Sequence, residues 1–278
     1  MTTPWWRVTI TSEPDLSDDI AAIVVSVTGN GVEEPSVGVV CTTLETERDA
    51  AALRQQLQAR FAGLRVLIEP VQPVDWSTHW RDGITSRTFG RLVLTPSWLP
   101  VSPTANQVVV TLDPESAFGS GEHGSTRGAL ALLERHLQPR DLMLDLGSGS
   151  GILAIAAAKL GARAAVGIEV IDDDIPIAEA NAVRNGVQHA VTFLAGDAGE
   201  LAPLAGPAEL VCSNILRSVN TILMPAILRS LTPNGIAIFA GMEVNEAELF
   251  RPVLQAFHLD AIDEVRDGGW WSVAVRRQ

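Results

Sequence analysis

Asp145-Leu146-Gly147-Ser148-Gly149-Ser150-Gly151-Ile152-Leu153 is the stretch on which the fold of the larger part of the chain turns. The residues leading into it, Leu142–Leu146, form a continuous apolar run, as expected of a parallel strand buried on both faces. Three alternating glycines follow, and the helix formers after Gly151 predict a helix as far as Gly161. Glycine lets the backbone turn tightly and brings its N–H groups close to a ligand, while the helix behind adds partial positive charge. The spacing is G-x-G-x-G. It departs from the G-x-G-x-x-G that places a diphosphate on a helix N-terminus. Asp145 also stands immediately before the loop, where it opposes any phosphate. An acid there suits a zwitterionic amino-acid group, accepting from its ammonium directly or through water.

Strands and helices alternate on both sides of this motif. Strands are expected at Val108–Leu112, Ala164–Glu169, Val191–Leu194, Leu210–Asn214, Ile236–Ala240 and Trp270–Val275. Helices are expected at Ser125–His136, Ala178–Asn185, Thr221–Leu231 and Glu246–Ala256. The alternation predicts a doubly wound sheet with right-handed crossovers over residues 108–278. Ligands of such sheets bind beyond the C-terminal strand ends. Four polar residues lie at or just past successive ends: Asp145, Glu169, Asp197 and Asn214. Glu169 can take two ribose hydroxyls, and Asp197 can accept from an adenine amino group or simply cap a turn.

Residues 1–71 read differently. The order is strand (Trp5–Ile10), helix (Asp15–Val27, capped by Ser12 or Asp15), strand (Val37–Leu44), helix (Thr46–Phe61, capped by Thr46) and strand (Leu64–Glu69). It predicts a small α+β sandwich of the ferredoxin-like type. Residues 72–107 read as a connector rich in proline, with Trp76, Trp80 and Trp98 stapling it to a domain.

Composition narrows the function. At 278 residues the chain has room for two domains, and its formal net charge of −13 repels nucleic-acid phosphate and attracts a basic protein, besides keeping the chain soluble. The two cysteines, Cys41 and Cys212, lack metal-ligand spacing and read as buried free thiols of a reducing compartment. Neither a secretory signal nor an apolar run of membrane-spanning length is visible, so the expected location is the cytoplasm.

Upstream of the glycine motif lies Phe118-Gly119-Ser120-Gly121-Glu122-His123-Gly124-Ser125-Thr126. Its glycines give flexibility, Ser125 or Thr126 can cap the next helix, and His123 can shuttle a proton or orient the loop. This loop, the Asp145–Ala156 stretch, Gly167-Ile-Glu169, Asn181-Ala-Val-Arg-Asn-Gly186 and Asn214-Ile-Leu216 together resemble the methyltransferase of large-subunit ribosomal protein eleven (PrmA family). The resemblance implies a Rossmann-like class I methyltransferase domain that binds S-adenosylmethionine (AdoMet). It places Thr126, Gly147, Glu169 and Asn214 at the cofactor; Asp145, Gly149, Gly151 and Asp197 complete the expected binding set. It also implies methylation of lysine or N-terminal amines of a ribosomal protein docked by the first domain. Asn214 is the expected orienting group for the amine, and no metal is expected. The motif lacks the N-P-P-[YF] signature associated with amide or base nitrogens, which favours an amine. The alternatives are another protein lysine methyltransferase or a small-molecule methyltransferase on the same fold, a non-catalytic AdoMet-binding module, and, more remotely, a dehydrogenase.

Overall fold

The computed structural model describes residues 5–61, 63–71, 85–113, 117–119 and 121–277. Trp76, Trp80 and Ser120 lie outside the described residues. The chain divides into two units, Met1–Asp82 and Gly83–Gln278.

In the first unit, β1 (Trp5–Thr11), α1 (Ser17–Thr28), β2 (Glu33–Ser36), β3 (Val39–Leu44), α2 (Glu47–Arg60) and β4 (Arg65–Val71) follow in order. The sheet order is β2-β3-β1-β4 with antiparallel neighbours, the ferredoxin-like arrangement expected from the element order. Val8 and Ile10 of β1 and Val40 and Leu44 of β3 pack with Ile20, Val24, Leu53 and Leu57 of the two helices. Two details depart from the sequence reading. The expected strand Val37–Leu44 is the second arm of a hairpin, with Gly38 at φ 80° in the turn and β2 before it. Neither Ser12 nor Asp15 caps α1; the chain enters through a 3₁₀ turn, Pro14–Leu16, and Ser12 Oγ donates to the Glu13 carbonyl. Thr46 does cap α2, its Oγ1 accepting from the Asp49 amide at 3.1 Å.

The second unit opens with a three-stranded sheet of β5 (Arg87–Phe89), β6 (Leu92–Thr95) and β7 (Val108–Thr111). Here the structure corrects two expectations. Residues 87–95, read as connector, form two strands, and β7 pairs parallel with β6 instead of joining the large sheet. The reason is apolar: Leu92, Val93 and Leu94 are all buried, and Leu92 and Leu94 join the core cluster of the following helices. The prolines around them mask a short strand whose partner lies across a loop.

Then come α3 (Gly124–His136), β8 (Leu142–Leu146), α4 (Ile152–Leu160), β9 (Ala164–Glu169), α5 (Ile175–Arg184), β10 (Val191–Ala195), α6 (Ala198–Ala205) and β11 (Ala208–Asn214). The chain continues through α7 (Arg217–Ser230), β12 (Leu231–Glu243), α8 (Ala247–Ala256), β13 (Leu259–Asp267) and β14 (Trp270–Arg277). Seven strands form one sheet in the order β10-β9-β8-β11-β12-β14-β13. The first five are parallel, and β14 is inserted antiparallel between β12 and β13. Successive residues feed opposite faces: Ile236, Ile238 and Ala240 of β12 enter one core cluster, Ala237 and Phe239 the other. That two-sided burial explains why these strands read as continuous apolar runs. From β8 the parallel strands run outward one way, from β11 the other way. The reversal opens a crevice beyond their C-terminal ends.

Thr46→Ala removes the described cap of α2. It is expected to lower stability by about 1 kcal/mol. Urea unfolding followed by circular dichroism checks this; an unchanged midpoint contradicts it.

Candidate functional site

The crevice holds a cavity of about 610 Å³. Its walls come from the ends of β8, β9, β10, β11 and β12, from the loop before α3, and from Trp270 at the start of β14. Gly147, Gly149, Glu169, Asp197 and Asn214 all line it, as the sequence led one to expect.

Glu169 is the best-held of these. Its carboxylate accepts from the Gly149 amide at 2.9 Å and from the Val170 and Ile171 amides at 2.8 and 3.1 Å. A carboxylate has about four acceptor sites, so capacity remains for a ligand diol. The neighbours Ile168, Val170 and Ile171 supply an apolar flank.

The glycine loop is used differently from the expectation that its amides face a ligand. Gly147 and Ser148 donate to the Ile168 carbonyl, Gly149 to Glu169, Ser150 to the Phe118 carbonyl and Gly151 to the Ser148 carbonyl. The amides are consumed in tying the loop to β9 and to the Phe118 segment, leaving no anion nest. Glycine is required for contact: a Cβ at Gly149 (φ 48°) would stand 2.5 Å from the Phe118 carbonyl oxygen, and one at Gly151 (φ 78°) 2.6 Å from the Phe193 ring. Gly151 is therefore a packing position, not part of the wall.

Asp145 is also displaced from its expected role. It is 1 % exposed and lies outside the cavity wall, with Oδ2 accepting from the Ala154 amide of α4 at 3.2 Å. Oδ1 has no hydrogen-bond partner among the described residues. Burial, with the charge of Glu169 adding to it, pushes its carboxyl up to about 8, against the pull of the Ala154 hydrogen bond. In the structure this acid braces the first turn of α4 from inside.

Thr126 is buried behind the wall as well, its Oγ1 accepting from Asn214 Nδ2 at 3.3 Å. Ser125 lines the cavity in its place and pairs with His123 Nδ1 at 2.7 Å. Neither caps α3; the N-cap position is His123, without a side-chain cap bond. Asp197 is both cap and wall, since Oδ1 accepts from the Gly199 amide at 2.7 Å while the residue faces the cavity.

Asn214 carries the telling feature. Its amide nitrogen is spent on Thr126, while its Oδ1 is buried with no donor among the described residues. Buried acceptors are ordinarily satisfied; this orphan belongs to a residue that lines the cavity. Around it stand residues the sequence reading did not assign to the site: Phe118, Ile215, Leu216, Gly241 and Trp270. Gly241 at φ 81° lets β12 close on the Ile215 backbone, where a Cβ would come within 2.3 Å of its oxygen. Trp270 packs against His123 with ring centroids 4.2 Å apart and planes tilted by 56°. Burial, then the Arg127 charge, lowers the His123 pKa.

The residues present fit AdoMet. Carboxylates (Glu169, Asp174, Asp197) line the cavity, and among its described lining residues there is no lysine or arginine. Such a wall is unfavourable for a dinucleotide diphosphate and tolerates a ribose, an adenine and a sulfonium cation.

Glu169→Ala is expected to weaken AdoMet binding by roughly tenfold or more, since hydrogen bonds to a charged acceptor are worth about 1.5–3 kcal/mol; calorimetric titration measures it. Asp145 gives a pH test on the ligand-free protein. Its folded pKa of about 8 lies above the ordinary carboxylate value. The native state therefore keeps a proton that the unfolded chain releases, and stability falls as pH rises from about 4 towards 8, by up to about 1.4 kcal/mol per unit. Asp145→Asn removes that slope, so the stability difference between the two proteins should widen with pH in denaturant melts.

Comparison with known proteins places the chain. The sequence model of the family Ribosomal protein L11 methyltransferase (PrmA) matches residues 8–278. The ribosomal protein L11 methyltransferase of Chloroflexus aurantiacus is 32% identical over 99% of each chain. That of Thermus thermophilus is 35% identical over 75% of this chain and 80% of its own. The crystal structure of ribosomal protein L11 methylase from Lactobacillus delbrueckii subsp. bulgaricus superposes with a TM-score of 0.63 and 29% identity, covering 70% of this chain and all of that one. With the AdoMet-fitting cavity at the reversal of a seven-stranded sheet, these matches show that the chain belongs to the ribosomal protein L11 methyltransferase (PrmA) family, with a class I AdoMet-dependent methyltransferase domain.

Proposed function

We propose that this chain transfers methyl groups from AdoMet to lysine or N-terminal amines of ribosomal protein L11, and does so in the cytoplasm. The observation that carries the amine assignment is Asn214, a cavity-lining residue whose Oδ1 has no donor among the described residues. A neutral amine has an N–H to give that oxygen and a lone pair left to attack.

Bound AdoMet supplies an activated methyl group, and the protein contributes placement. Glu169 holds the ribose, with Asp197 and the apolar flank beside the base. Asn214, itself held by Thr126, orients the amine. The amine arrives as an ammonium near pKa ~10.4 and must lose a proton. Apolar walls from Phe118, Leu216 and Trp270 disfavour the charged form. The proton passes to solvent water as the amine enters, and His123, its Nδ1 paired with Ser125, shapes the same wall.

The acidic chain, at −13, suits a basic partner such as a ribosomal protein. The ferredoxin-like unit is assigned to docking it. No described helix is long and apolar enough to cross a membrane, and neither membrane nor nucleic-acid binding enters the proposal.

Incubation with labelled AdoMet and purified L11, followed by peptide mapping, is expected to show label on amine nitrogens, with Asn214→Ala reducing kcat at least tenfold. Label on small metabolites with none on protein selects the small-molecule reading. AdoMet binding without turnover on L11 or lysate selects a binding module.

A further inference from the structure

The aromatic wall of the cavity is assembled from two segments far apart in sequence. His123 and Phe118 come from the loop before α3, with their rings edge-on at 5.4 Å. Trp270 follows the turn between β13 and β14, and its ring meets His123 at 4.2 Å. Among the described residues no strand pairing joins the loop to that turn. The juncture is nevertheless tight: a Cβ on Gly124 would stand 2.4 Å from the Asp267 carbonyl oxygen and 2.8 Å from Trp270 Cδ1.

One side chain bridges the two segments. Arg127, in the first turn of α3, donates through Nε and Nη2 to Oδ2 and Oδ1 of Asp267, at 2.6 and 2.7 Å. Asp267 ends β13, three residues before Trp270. The third nitrogen, Nη1, donates to the main-chain carbonyl of Glu122, the residue before His123. Asp267 answers electrically, its carboxyl held below the usual range chiefly by the Arg127 hydrogen bonds. On its outer side the loop has a second anchor, Arg87 of β5, whose Nε and Nη2 meet the Glu122 carboxylate at 3.2 and 2.6 Å.

We propose that Arg127 is a positioning residue for methyl transfer: its guanidinium fork, holding Asp267 and the Glu122 carbonyl at once, sets the distance between His123 and Trp270 and so shapes the amine side of the cavity. Arg127 does not line the cavity, so it acts through these rings. Partly exposed ion pairs of this kind add little to stability, whereas a planar fork adds geometric specificity that an ammonium cannot copy. The inference rests on the proposed amine methylation for its kinetic part only.

The test uses the full chain with Arg127→Lys, Arg127→Ala and Asp267→Asn. Ring-current shifts of the His123 imidazole protons, read by NMR, report the contact with Trp270 without any substrate. All three variants are expected to lose most of the ring-current shift that Trp270 imposes. With L11, kcat is expected to fall at least tenfold while AdoMet affinity stays within threefold and the melting temperature within a few degrees. Lysine should behave like alanine, because charge without the fork does not hold both partners. Full activity and unchanged ring shifts in Arg127→Lys overturn the proposal. So does a loss of AdoMet binding that tracks a loss of thermal stability, which makes the residue merely structural. If the wild-type protein methylates no L11, the functional proposal fails, and the NMR arm still decides whether Arg127 sets the His123–Trp270 contact.

Discussion

The Glu169 carboxylate holds the second unit's ligand crevice together. It sits at the end of β9 and takes amides from Gly149, Val170 and Ile171. One of these belongs to the glycine loop, the other two to the turn that leads into α5. A single side chain thereby fixes the relative height of two neighbouring βα turns. Its burial, at 6 % exposure, makes each of those bonds more costly to leave unmade than to form. The remaining loop amides close on Ile168 and Phe118. A glycine-rich turn that in other proteins receives phosphate is in this chain satisfied internally, and what it offers a ligand is shape: a thin wall without side chains over a carboxylate.

The same logic separates the acids of the motif. Glu169 is at the surface of the cavity with three donors, whereas Asp145 is sealed beneath the loop with one donor and a bare oxygen. Two carboxyls within mutual electrostatic reach cannot be equally comfortable as anions. The buried one takes the penalty, and its proton is the compensation. The acid sealed behind the loop is the one pushed towards its neutral form. Cys212, sealed beside Asp145, is pushed upward by the same burial and by that acid.

Much of this was legible before any coordinates. The Asp145–Leu153 stretch announced strand, turn and helix, because alternating glycines after an apolar run admit few other readings. Glu169, Asp197 and Asn214 were found because strand ends in a parallel sheet converge by topology. What escaped was whatever depends on distant pairing. β6 hides between prolines and finds β7 across a loop. α6 is eight residues with Gly199 and Pro203 inside it, too short and too broken to show a period. β13 carries Asp260, Asp263, Glu264, Arg266 and Asp267 on a sheet edge, where charge is tolerated and obscures the strand. Trp270 read as part of a terminal strand and nothing more, since its role comes from a neighbour at position 123. Asp145 and Thr126 were given to the ligand because one-dimensional reading locates a residue at a turn without saying on which side of it the side chain falls.

The antiparallel insertion of β14 between β12 and β13 makes the pocket non-local in sequence. Gly147 and Glu169 reach it from the parallel half of the sheet, whereas Trp270 reaches it from the first residue of the inserted strand. The carboxylate corner and the aromatic wall are therefore carried by different halves of one sheet. A change in the pairing of β14 moves the wall and leaves Glu169 with its three donors in place.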